Sequence, residues 1–125
     1  MKQLVLTLAL FAAPAAAQTQ AQMTADAAAQ WKAADAAMTT QWRTTYALMK
    51  RRDTRNAASG GGFGYAAATL ASQRAWLQFR DKQCLVEGAE YLGGTLQPMV
   101  RYGCLARLTK QRTAQLKDLM WQRGR

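Results

Sequence analysis

Three stretches of the chain carry large apolar residues at helical spacing, and none shows the strict alternation of a half-buried strand. In the first, residues 24–52, Trp31, Met38, Trp42 and Met49 fall on one face, with Thr45 and Tyr46 alongside, in an alanine-rich background. Thr24 suits an N-cap and Asp26 sits in the first turn, where an anion complements the helix dipole. Residues 18–23 before it read as a frayed end. The basic run Lys50-Arg51-Arg52, followed by Asp53, Thr54 and Arg55, closes this helix. Glycine then fills four of the five positions 60–64, which excludes a helix and predicts a mobile loop around Phe63.

The second stretch, residues 65–86, has the chain's densest segment at its centre, QRAWLQFRDKQC at 73–84. Ala66, Leu70, Gln73, Leu77 and Cys84 share a face that Trp76 borders; Arg80 falls on that face and Asp81 near its edge. Gly88 is placed to end the helix, and Tyr91 and Leu92 are expected to fold back onto the core. The third stretch, residues 96–122, starts after Thr95 as a cap. Pro98 is tolerated there because it lies in the first turn. Its stripe is Cys104, Leu105, Leu108, Leu116 and Leu119, with Arg112 in the middle. Short connections favour antiparallel neighbours, so the expected fold is all-α, an antiparallel three-helix arrangement.

The N-terminus changes the setting. Lys2, the apolar run at 4–13 and Ala15-Ala16-Ala17 read as a signal peptide over residues 1–17, leaving one domain over residues 18–125. The apolar run is far shorter than the ~20 residues a membrane span needs. Export to the periplasm or beyond permits a disulfide, and the chain has two cysteines, Cys84 and Cys104. A structural bridge is favoured over a redox pair, because redox pairs usually sit in a Cys-x-x-Cys turn.

Charge and missing residue types exclude several chemistries. The net charge is +10 and there is no histidine, so no imidazole acid, base or metal ligand exists. Two paired cysteines leave no thiolate. No cofactor or metal is expected. The glycine-rich loop lacks the Gly-Lys-Ser/Thr ending of a phosphate loop. Asp35 and Asp81 are a carboxylate pair on facing helices that a glycosidase reading can use. They are better read as neutralising Arg80 and Arg112, since Asp35, Arg80 and Arg112 lie on or beside apolar faces, one per helix. Either an Asp35–Arg80 or an Asp35–Arg112 contact satisfies this, as does snorkelling of the arginines to the surface.

The segment at 73–84 resembles the "AQraWl-fRd-eC" signature of the LprI-like lysozyme-inhibitor family of small exported bacterial proteins. Gly93-Gly94-Thr95-Leu96-Gln97-Pro98 resembles its "GGS…P" segment, residues 104–116 its closing "C…lT-qR---L", and residues 34–38 its "aD--Ln". The likeness spans roughly residues 24–120. This chain departs from it in lacking a further cysteine pair around the first helix and in having Met38-Thr39 for the usual Leu-Asn. The resemblance implies a helical, disulfide-stapled envelope protein and, by the family name, lysozyme inhibition; it carries over no catalytic residues.

Three readings therefore compete, an enzyme ranking last because the acid–base groups are missing. An inhibitor would meet a lysozyme-like hydrolase through Phe63 and the cations Arg51, Arg52 and Arg55. An envelope-binding module would instead lay Arg107, Lys110, Lys117, Arg123 and Arg125 on an anionic polymer or lipid surface. A leader peptide argues against nucleic acid as partner.

Overall fold

From residue 15 to residue 59 the sequence contains neither glycine nor proline, and alanine, the best helix former, dominates its first half. In a computed structural model that describes residues 15–58 and 62–121, that run is one helix, α1 (Ala15–Ala58). Two expectations change here. The helix does not begin at Thr24, which lies inside it, and it does not stop at the basic run near Arg52. A capping residue or a cationic cluster ends a helix only where the neighbouring residues disfavour it, and these do not. At about 1.5 Å per residue, α1 is about 66 Å long.

Two shorter helices follow, α2 (Tyr65–Ala89) and α3 (Leu96–Asp118). Gly88 does not end α2. It lies one residue inside the helix and is buried, and a side-chain carbon there would sit 3.4 Å from Cβ of Arg101, so α3 passes close by. The reversal comes later, where Gly93 takes φ of 78°. Thr95 precedes α3 but makes no capping bond through its side chain, and α3 ends at Asp118, short of residue 122. Tyr91 and Leu92 are exposed rather than folded onto the core, because the chain turns in tight backbone-bonded steps from Gly88 to Gln97.

Successive helices run antiparallel. Asp53 of α1 meets Tyr65 of α2, Asp35 meets Arg80, and Gln73 of α2 meets Arg112 of α3. α1 and α3 therefore lie parallel, from Gln20 beside Met99 to Arg52 beside Leu119. The core between them is thin. It contains Ala34, Met38, Met49, Leu105, Leu108 and Leu116, and Thr45, fully buried, donates a hydrogen bond to the carbonyl of Leu116 (2.9 Å). Trp31 stacks on Tyr102 and packs, with Trp76, against Cys84, Cys104, Leu105 and Leu108. Among the described residues no strand occurs, and no helix is long and apolar enough to cross a membrane. The leader expected over residues 1–17 lies mostly outside the described residues, as do Arg123 and Arg125.

Cys84 and Cys104 form a disulfide, buried, with Cα atoms 5.5 Å apart. It joins the last turns of α2 to the first turns of α3. With the cysteines 20 positions apart, closing the loop removes unfolded-state entropy worth about 3 kcal/mol. The Cys84→Ser/Cys104→Ser double variant is expected to lose about that much stability in urea denaturation while retaining its helical circular dichroism.

Candidate functional site

Two guanidinium groups sit in the seam between the helices, each held differently. Arg80, 6% exposed, donates from Nη1 to Asp35 Oδ1 (3.0 Å) and Thr109 Oγ1 (3.3 Å), and from Nε to Asp81 Oδ1 (2.9 Å). It thus binds α1, α3 and its own helix at one point. Arg112 is equally buried but meets no carboxylate among the described residues. It donates to Gln73 Oε1 (2.9 Å), Ser72 Oγ (2.9 Å) and Gln115 Oε1 (3.2 Å). Burial pushes its pKa below the ordinary arginine value, and it stays protonated across the working range of proteins. Both guanidiniums lie within cation–π distance of the Trp76 ring, at 5.2 and 5.8 Å. Of the two contacts open to Asp35, the structure forms the one with Arg80. Since Asp35 and Asp81 hold the same guanidinium, they do not face one another across a cleft as two glycosidase carboxylates do.

The loop end of the bundle is built from residues whose roles are visible only in three dimensions. Helix α2 begins at Gly64 in the left-handed region (φ 79°), which supplies no side-chain cap. Asp53, from α1, supplies it instead. Its Oδ1 accepts from the Tyr65 amide (2.7 Å) and its Oδ2 from the Ala66 amide (2.9 Å). Next to it, Arg52 turns inward and donates to the carbonyls of Leu119 (3.0 Å) and Trp121, closing the C-terminus of α3. Its guanidinium also stacks on Trp121, 4.6 Å from the ring centre, and approaches Tyr65 at 5.9 Å. From sequence alone, Asp53 and Arg52 belong to the run that closes the first helix, and Arg52 is expected to contact a partner. A carboxylate twelve residues before the amide it caps has no local signature, and the glycine at the cap position is the one hint that another residue must supply the acceptor.

Around this braced end lie the exposed candidates. Phe63 is 72% exposed and meets Tyr65 edge-on at 5.1 Å. Arg51 and Arg55 are exposed at the same end, on the last two turns of α1. A cleft of about 260 Å³ opens between the three helices here, lined by Met49, Arg52, Phe63, Tyr65, Ser72 and Trp121 among others. Elsewhere Arg107, Lys110 and Lys117 project from the outer side of α3. Arg107 grips Glu87 through both carboxylate oxygens (2.9 and 2.8 Å), whereas Lys110 and Lys117 form no ion pair among the described residues. The Arg107 hydrogen bond holds the Glu87 carboxyl below the usual carboxylate range, with a smaller contribution from Gln83.

Fold and surface together define a disulfide-stapled three-helix protein with most of its carboxylates engaged and most of its cations exposed, Arg52, Arg80 and Arg112 excepted. The chain belongs to the family described as Lysozyme inhibitor LprI, whose model matches residues 12–116, in agreement with the motif at residues 73–84. Among its relatives, the uncharacterized protein R02472 of Rhizobium meliloti (strain 1021) is 41% identical over 91 residues. That segment covers 72% of this chain and 66% of the relative, just under two thirds of its length. No solved structure matches. The family is named for inhibition rather than catalysis.

Three outcomes test this geometry. Asp53→Ala removes both acceptors at the start of α2 and is expected to cost about 1–2 kcal/mol in urea denaturation, with Asp53→Asn recovering part of the loss. Asp35→Ala is expected to cost about 1–2 kcal/mol, less than the loss of a fully buried partner, because Asp35 is itself part-exposed and Asp81 and Thr109 remain on Arg80. Unchanged thermal stability in that variant would remove the pair from the account. Glu87 has a lower pKa folded than unfolded, so its contribution is complete above the ordinary glutamate range and is lost as pH falls through the folded value. The stability difference between the native chain and Glu87→Gln is accordingly expected to be present at neutral pH and to vanish in acid.

Proposed function

We propose that this chain is an exported inhibitor of lysozyme-like peptidoglycan hydrolases and that it meets its target with the loop end of the bundle. The observation that supports this most directly is Phe63, an aromatic ring left 72% exposed beside a helix start that Asp53 fixes in place. An apolar ring on a braced support loses little freedom on binding, and exposed aromatics flanked by arginine are what interface centres are made of. Arg51 and Arg55 supply the flanking cations. The target chemistry is complementary, because glycoside hydrolases of this kind carry a pair of carboxylates at the scissile bond and a guanidinium makes strong, charge-assisted bonds to carboxylate. Family membership supports the same partner.

The net charge, +10 for the whole chain and one less without Lys2 of the leader, sets the kinetics. Against a basic lysozyme, long-range repulsion slows encounter at low salt, while short contacts within a desolvated interface persist as salt rises. A second reading rests on Lys110 and Lys117, which stand outward on α3 one heptad apart and leave that helix strongly basic. In that reading, α3 binds an anionic envelope polymer, and the binding collapses steeply with ionic strength.

A turbidity assay of peptidoglycan lysis, run over a panel of lysozymes and lytic transglycosylases, separates the two. Inhibition that survives physiological salt, and that falls about tenfold or more in Phe63→Ala or Arg51→Glu/Arg55→Glu, is the expected result. Lys110→Glu/Lys117→Glu is expected to leave it unchanged. Inhibition of no enzyme in the panel, together with polymer binding that this last variant abolishes, would replace the first reading by the second.

A further inference from the structure

The outward side of α2 is built unlike the rest of the surface. Ala68, Ala71, Ala75, Phe79, Val86 and Ala89 recur along it at helical spacing, and all are exposed, Phe79 by 53% and Val86 by 69%. Lys82 is the charged residue in their midst. Charge sets this helix apart as well. From Tyr65 to Glu90 the chain has three cations, Arg74, Arg80 and Lys82, and three carboxylates, Asp81, Glu87 and Glu90. The whole net charge of +10 therefore lies elsewhere in the chain. A protein this basic repels its own copies over most of its surface, and α2 is the helix on which that repulsion is absent.

The stripe is also ordered by size. Its N-terminal half holds only the small residues Ala68, Ala71 and Ala75, and its C-terminal half holds the larger Lys82 and Val86 before it ends on Ala89, with Phe79 between. Two such helices laid antiparallel about a two-fold axis near Phe79 place Lys82 and Val86 each opposite an alanine. Val86 of one copy faces Ala71 of the other, the Lys82 stem faces Ala75, Ala89 faces Ala68, and the two Phe79 rings meet beside the axis. Arg74 and Asp81 lie on one flank of α2, two turns apart, so the same pairing brings Arg74 of each copy within reach of the outer carboxylate oxygen of Asp81 of the other. An isologous contact requires this kind of self-complementarity, in which residue i meets residue j and j meets i.

We propose that the outer face of α2 is a homodimer interface, formed by antiparallel pairing of two copies about Phe79. It is independent of the inhibitory end, which lies beyond the N-terminus of α2. A single pair of helices about 37 Å long buries an area at the low end of specific interfaces, so the dimer forms at micromolar concentration.

The test is sedimentation equilibrium on the chain expressed with its own N-terminal segment, over about 5 to 500 µM and at physiological salt. The expected result is an average mass that climbs from one chain toward two. Phe79→Glu holds the mass at one chain throughout the range, with helical circular dichroism and melting temperature unchanged, and Arg74→Glu weakens association severalfold. Register is read separately by oxidative cross-linking. Phe79→Cys is expected to give a covalent dimer under mild oxidation, and Gln111→Cys, on α3, is not. A mass of one chain across the whole range overturns the proposal, as does a dimer that Phe79→Glu leaves intact. Loss of lysozyme inhibition in Phe79→Glu of a monomeric chain would assign this face to the enzyme and overturn it too.

Discussion

Arg80 is a cation placed where an uncompensated charge would cost several kcal/mol, and the arrangement of the three helices follows from satisfying it. Its guanidinium has donors enough for three directions, and each is filled from a different element: Asp35 on α1, Asp81 one residue along α2, and Thr109 on α3. A shift of any helix by one turn, about 5.4 Å, would break at least one of these bonds. The apolar core is thin for a chain of this length and rich in alanine, threonine and methionine, which pack without fixing a unique register. The polar seam and the disulfide supply that uniqueness. Arg112 repeats the device in neutral form, holding α3 to α2 through Gln73 and Ser72, and Trp76 lies against both guanidiniums.

The same economy of carboxylates explains the surface. The chain has seven acidic residues against seventeen cations. Asp35 and Asp81 are taken by Arg80, Asp53 by the first amides of α2, and Glu87 by Arg107. Few carboxylates remain to offset Lys32, Arg43, Arg51, Lys110 and Lys117 on the outside. Interior neutralisation and exterior basicity are thus two aspects of one allocation. The exception is the stretch from Tyr65 to Glu90, α2 and the residue after it, where three cations meet three carboxylates, and its outer face is correspondingly where apolar side chains collect.

The two ends of the bundle differ in how they are closed. At one end the disulfide and the close passage of Gly88 past Arg101 bind α2 to α3. At the other, side chains of α1 close both neighbours, with Asp53 on the start of α2 and Arg52 on the end of α3. Adjacent residues of opposite charge thus meet helix ends of opposite polarity, as the dipoles require. This bracing explains how a glycine-rich connection can lead into a well-defined helix start and present Phe63 from it.

How much of this was legible beforehand follows from the range of each interaction. The three helices, their buried stripes, the pairing of the two cysteines and the presence of Arg80 and Arg112 on apolar faces were set by residue type and spacing along the chain, because helical periodicity is a local property. The length of α1 differs from expectation at both ends, because an unbroken run of good helix formers outweighs the capping signals at Thr24 and the basic run. The partners of the charged residues were not legible. Asp35 had two arginines to choose from, Asp53 reached twelve residues forward across a glycine loop, Arg52 turned inward to carbonyls some seventy residues away, and Tyr91 and Leu92 turned outward. Those outcomes depend on the rotation and register of one helix against another, which packing decides and which leaves no periodic trace in the sequence.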